Sequence, residues 1–146
     1  MSGTLRERAL RLLARREHAR AELVRKLAPH AESPAALDAV LDDLGARGLL
    51  SDERYVDMRL RARQARLGDA RLAYELRTQG VSDELIEAAL ATGEDECLRA
   101  QRVWQKKFGT YAGEAGERAR QARFLASRGF SAETIRRVVR GDLEDD

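Results

Sequence analysis

Cysteine is almost missing from this chain: Cys97 is the single one among 146 residues. No internal disulfide can form, which fits a reducing cytosol. Proline is as scarce, with two residues, and that scarcity favours helix over irregular structure. Aromatic residues make up only 5%, so burial has to come from Leu, Val, Ile and Ala. No apolar run approaches the roughly 20 residues that span a bilayer. The N-terminal MSGTLRERAL is charged from Arg6 onward and has no signal-peptide core. The expectation is a soluble cytoplasmic protein with no membrane partner. Lysine is rare as well: Lys26, Lys106 and Lys107 are the only ones. The cations are therefore nearly all arginine, which can reach phosphate or carboxylate bidentately wherever it is exposed.

What the chain does have is 43% hydrophobic and 36% charged residues, apolar enough to fold and too charged for one thick core. Its formal net charge is +2 and its pI about 9.0. That balance does not identify a nucleic-acid partner; the placement of charge has to. Apolar spacing near 3.6 recurs along the chain, and strand-like alternation does not. The spacing predicts nine helices, at 4–16, 19–28, 34–47, 52–66, 69–79, 83–91, 95–108, 117–127 and 132–140. Ser33-Pro34 reads as an N-cap followed by proline at the first helical position. Gly48, Gly80 and Gly129 follow helices, where a left-handed residue ends the helix.

Internal similarity organises these helices. ELRTQGVSDELIEAAL (Glu75 to Leu90) aligns with FLASRGFSAETIRRVV (Phe124 to Val139), pairing Leu76 with Leu125, Gly80 with Gly129 and Ser82 with Ser131. Apolar residues follow each serine at +4 and +8: Ile86 and Leu90, then Ile135 and Val139. Leu23, Ser33, Leu37 and Leu41 fit the same scheme with a longer loop. The expectation is an all-α protein, an elongated array of three three-helix repeats at 1–48, 49–92 and 93–146. LSDERYVD (Leu50 to Asp57) then opens the middle repeat. Its helix carries two apolar strips, Tyr55/Met58/Ala62/Ala65 and Val56/Leu60/Leu67, as an element packed between neighbours would.

The opening helix of each repeat also carries a basic stripe: Arg8, Arg11 and Arg15; Arg59, Arg63 and Arg66; Arg99, Arg102 and Lys106. A charged helix face is ordinarily just solvated. Three such faces could instead line a track for a polyanion, held through phosphates, salt-dependent and without base readout. Acids gather elsewhere, at Asp38, Asp42 and Asp43, and at Asp142, Glu144, Asp145 and Asp146. The last group reads as a solubilising end, with shielding of the track as the alternative. No catalytic constellation is evident. His18, His30 and Cys97 are too dispersed for a metal site, and no cofactor is expected. Cys97 and Trp104 read as core residues, and GTYAGEAG (Gly109 to Gly116) as a hinge or a loose loop.

Four blocks carry a family resemblance: ARREHARAELVRKL (Ala14 to Leu27), LSDERYVDMRLRAR (Leu50 to Arg63), ELRTQGV (Glu75 to Val81) and FLASRGFSAETI (Phe124 to Ile135). In that order they resemble the successive blocks of the RecX family of bacterial recombination regulators. The resemblance implies three three-helix repeats, binding to RecA in the groove of the RecA–DNA filament, and modulation, mainly inhibition, of filament growth, ATP hydrolysis and strand exchange. It also implies weak DNA binding, and no shared catalytic residue. One departure is Ala19, where the family often has Ser or Thr; the capping box is then incomplete, at a cost of about 1 kcal/mol. A monomer is expected. The rival reading is a helix-turn-helix DNA-binding regulator acting without RecA. Against it, SDELIEAAL is acidic and would read a groove poorly.

Overall fold

Six helix starts are capped by hydroxyl or acidic side chains. Thr4, Ser33, Ser51, Ser82, Asp95 and Ser131 each accept a hydrogen bond from the backbone N–H three residues on, at 3.1–3.3 Å. Each satisfies a donor that the first helical turn leaves open. The computed structural model describes residues 3–141. Among these, the chain forms nine α-helices and no strand: α1 (Leu5–Arg15), α2 (Arg20–Leu27), α3 (Pro34–Ala46), α4 (Asp52–Arg63), α5 (Asp69–Thr78), α6 (Asp83–Ala91), α7 (Glu96–Lys107), α8 (Ala115–Ser127) and α9 (Ala132–Arg140). A short 3₁₀ turn, Ala28–His30, occupies the longer loop between α2 and α3. The acidic residues Asp142, Glu144, Asp145 and Asp146 lie outside the described residues.

The chain forms two compact units, Met1–Met58 with Leu76–Ile86, and Arg59–Glu75 with Glu87–Asp146. The first has a core of Ala9, Leu23, Leu27, Leu37, Leu41, Leu44 and Leu50, flanked by Leu12, Leu13, Val24 and Val40. The second centres on Ala100, Trp104, Leu125, Phe130, Val138 and Val139, with Phe108 and Phe124 packed edge to face beside them. Each fully buried Leu or Val contributes on the order of 1.5–3 kcal/mol through burial. The +4 residue Ile86 is buried as its spacing predicts, but its counterpart Ile135 is only half-buried. On α9 the +8 residue Val139 is buried as aligned, and Thr134 and Val138 beside the seam are buried with it. On α4, Tyr55, Val56 and Leu60 are buried, whereas Ala62 and, just beyond the helix, Ala65 are exposed. One strip is thus an inward face and the other is inward only at Tyr55 and, in part, Met58.

A junction recurs along the chain. In the first unit, Asp52 at the start of α4 accepts a hydrogen bond from the N–H of Arg20, the first residue of α2, at 2.8 Å. In the second, Glu96 at the start of α7 accepts from the N–H of Asp69, the first residue of α5, at 3.0 Å. An acid opening one repeat therefore caps the middle helix of the repeat before it. The glycine turns serve the same junctions. A Cβ on Gly80 would lie 2.4 Å from Cβ of Ala21 on α2, and one on Gly129 would lie 2.2 Å from Cβ of Arg71 on α5. Both glycines have positive φ, +83° and +87°. They close a helix in the left-handed conformation and let it approach its neighbour without a side chain between. Gly68 tightens the second junction: its N–H donates to the carbonyl of Arg128 at 2.8 Å. Asp52 also bears on the N-cap Ala19, which has no side chain able to cap α2. Glu22 still accepts from the Ala19 N–H at 3.3 Å, and Asp52 serves the neighbouring N–H.

The glycine-rich segment after α7 is tied down in its middle. Tyr111 stacks on Trp104 with ring centroids 4.5 Å apart. Trp104 Nε1 donates to Gln121 Oε1 at 2.9 Å, and Gln121 Nε2 donates to the carbonyl of Thr110 at 3.2 Å. A buried indole N–H needs an acceptor, and here it holds the loop as well. Trp104 and Cys97 are both core residues, 1% and 9% exposed.

Candidate functional site: the arginine-bearing faces

The nine cations of the three stripes have different surroundings. On α1, Arg8 is half-buried, and Arg11 and Arg15 are exposed. Neither Arg8 nor Arg15 has an ion-pair partner among the described residues. On α4, Arg59 and Arg63 turn toward one acid, Glu75, whose side chain is only 14% exposed. Arg63 holds both of its oxygens, at 2.6 and 2.9 Å, and Arg71 adds a contact at 3.3 Å. Burial opposes the charge on Glu75, but the Arg63 guanidinium outweighs it and keeps the carboxyl below its usual pKa. One acid thus gathers three arginines, and a positive charge remains there. Arg66, just beyond α4, is exposed.

On α7 the stripe does not hold together. Arg99, expected on the basic side, is 1% exposed. It donates to the carbonyls of Glu94 and Leu67 at 2.7 and 3.1 Å and to Asp69 at 2.6 Å. Asp69 and Leu67 frame the start of α5, so Arg99 is a structural strut of that junction, not a free cation. Helical spacing placed it beside Arg102 but could not show that the next element lies over it. Arg102 is exposed and forms a two-pronged pair with Glu94, and Lys106 is exposed.

The acids of α3 are also engaged. Asp43 pairs with Arg6 and Arg47, and Asp42 and Asp38 pair with Arg20 at 2.9 and 3.6 Å. His18 belongs to a buried polar knot. Its Nδ1 lies 3.0 Å from the carbonyl of Arg16, and Lys26 Nζ lies 3.2 Å from Nε2. A ring that donates at Nδ1 and accepts at Nε2 is neutral, and burial lowers its pKa accordingly. Beside it, Glu22 is buried against Arg16 and Lys26. Burial works against its charge, yet Arg16 prevails and the pKa is lowered to about 2. Among the described residues no group of three or more His, Cys, Asp or Glu is placed to hold a metal ion. No helix among them is long and apolar enough to cross a membrane.

A further basic stretch lies outside the stripes. Residues 115–141 hold seven arginines and two glutamates. Here α8 and α9 enclose an open groove of about 510 Å³, floored by Ala119, Ala122, Ala126, Ile135 and Val139. Arg118, Arg123, Arg136 and Arg140 also line it. Two signals could have found it: the alanines at 119, 122 and 126, and the arginine count of the segment.

Successive three-helix domains with arginine-bearing faces place the chain among the helical-repeat proteins. The family models for the first, second and third three-helix domains of RecX match residues 6–44, 51–90 and 94–139. Regulatory protein RecX of Leptothrix cholodnii is 50% identical over 145 residues, covering 98% of this chain and 92% of that protein. Its namesake in Chromobacterium violaceum is 46% identical, covering 98% and 93%. The chain belongs to the RecX family, a family of regulatory proteins. A crystal structure of RecX from Lactobacillus salivarius matches with a TM-score of 0.83 at 19% identity, over 97% of this chain and 96% of that one. At that identity the likeness bears on the fold alone.

Proposed function

We propose that this chain is a modulator of RecA in the bacterial cytoplasm. It binds RecA and the RecA–DNA filament as a monomer and restrains filament growth, ATP hydrolysis and strand exchange. The observation that carries this reading is family membership through all three domains, from residue 6 to residue 139. The chemistry required is modest. A ligand that favours one filament state shifts the equilibrium by its differential affinity, without any catalytic group. We further propose the three repeats as the working divisions, 1–48, 49–92 and 93–146.

Of the stripe residues, Arg8, Arg11, Arg15, Arg66, Arg102 and Lys106 are the contact candidates. Arg59 and Arg63 would act through the residual charge around Glu75, and Arg99 is withdrawn because it is buried. DNA would be held weakly through phosphates, with no base readout, and less tightly as salt rises.

The test is a steady-state titration of RecA ATP hydrolysis at fixed single-stranded DNA. Protein added below stoichiometry should lower the rate, and strand exchange should fall with it. An unchanged rate up to equimolar protein, with the helical circular dichroism intact, would count against the reading.

A further inference from the structure

The α8–α9 groove has a floor and a rim of opposite character. Its floor comes from alanines on α8, too small to fill the space beside Ile135 and Val139. Ala119 and Ala126 are exposed and Ile135 is half-buried, so apolar surface remains open to solvent. No acid lines the groove, and four arginines do. Arg123 and Arg140 have no ion-pair partner among the described residues, and Arg136 pairs only with exposed Glu133 on its own helix. The segment carries seven arginines and two glutamates in a protein whose whole net charge is +2. A net positive charge thus surrounds the place where the small side chains leave room.

We propose that this groove is a docking surface for an acidic protein segment bearing bulky apolar side chains on one face. The proposal does not depend on the RecA reading. Leucine-like anchors would fill the space over the alanines, and carboxylates beside them would meet the arginine forks, a geometry that guanidinium and carboxylate share. An amphipathic helix laid in a groove presents anchors at the required spacing. A nucleic-acid backbone fits less well. It would use the arginines and leave the apolar floor uncovered, and no aromatic ring lines the groove for a base to stack on. The volume, about 510 Å³, is in the range of clefts that bind ligands, roughly 300–1,000 Å³.

The probe is a fluorescent helical peptide of about 16 residues with leucines along one face and glutamates elsewhere. Its control replaces each leucine with serine. Binding is read by anisotropy on the full chain and on two variants, Ala119→Trp and the pair Arg123→Glu/Arg140→Glu. Ala119 is exposed, so the tryptophan blocks the groove without entering the core; thermal unfolding of each variant confirms its fold. The expected result is binding to the unaltered chain, weakened at least about tenfold by either variant and by the serine control. Five results overturn the proposal: no binding up to about 1 mM; equal binding of the serine control; loss of oligonucleotide binding but not peptide binding in Ala119→Trp; a dimer of this chain that Ala119→Trp abolishes; or binding that requires prior removal of Asp142 to Asp146. The third, fourth and fifth would name the occupant as nucleic acid, a second copy, or the chain's own acidic segment.

Discussion

At the scale of single residues, burial decides what an arginine is for. Arg99 and Arg102 lie three apart on α7, and by spacing alone they belong to one face. Arg99 is enclosed and serves two carbonyls and Asp69, whereas Arg102 holds an exposed pair with Glu94. An exposed pair contributes at most about 1 kcal/mol. Removing a buried guanidinium leaves its acceptors unserved and opens a void, which costs several times more. Arg99→Ala should therefore destabilise by about 2–4 kcal/mol, and Arg102→Ala by less than about 1 kcal/mol. Urea unfolding of both variants checks this. Equal midpoints would mean that Arg99 is not a strut.

At the scale of elements, the junctions carry the specificity of packing. Gly129 ends α8 with φ +87° and lies against the N-terminal part of α5. Alanine there meets two separate penalties. The left-handed conformation is unfavourable by about 1–2 kcal/mol for a residue with a Cβ. That Cβ would also sit 2.6 Å from the backbone nitrogen of Arg71, which cannot move aside as a side chain could. Gly129→Ala should cost more than about 3 kcal/mol. At Gly48 no atom lies within 4 Å of a built Cβ, so alanine there should cost only the conformational part. Comparing the unfolding midpoints of the two variants separates the close approach from the backbone preference.

At the scale of the whole molecule, the titrating groups with resolved shifts act together. Glu22, Glu75 and Asp43 have lowered pKa values, so each contributes stability above its ordinary range, which is lost on acidification. His18 is lowered too, by burial first, so the unfolded chain takes up its proton before the folded one does. Its contribution is complete above the ordinary value of 6.5 and falls as the pH drops below it. All four signs agree. The melting temperature should decline from about pH 6.5 downward through His18, then more steeply below about 4.5 as the carboxylates protonate, with Glu22 the last near 2. His18→Gln should remove most of the upper decline. A melting temperature that rises between pH 7 and 5 would contradict this account.

Helix positions, repeat offsets and caps were legible in the sequence because they depend on neighbours within a few residues. Leu23, Leu76 and Leu125 are buried where their spacing put them, and the serine caps act locally. The family was legible for the same reason, since its blocks are runs of local signals in order. What distant elements do to one another was not legible. Only the packing of the second unit buries Arg99 against α5, and only the fold brings Arg63 to the carboxylate of Glu75, which Arg71 reaches from one turn away on the same helix. Asp52 and Glu53 look alike as helix-start acids, yet only Asp52 caps a helix begun 32 residues earlier. The groove between α8 and α9 needed tertiary structure too. Whether alanines make a packed seam or an open floor depends on what lies across from them, and no spacing along one helix carries that information.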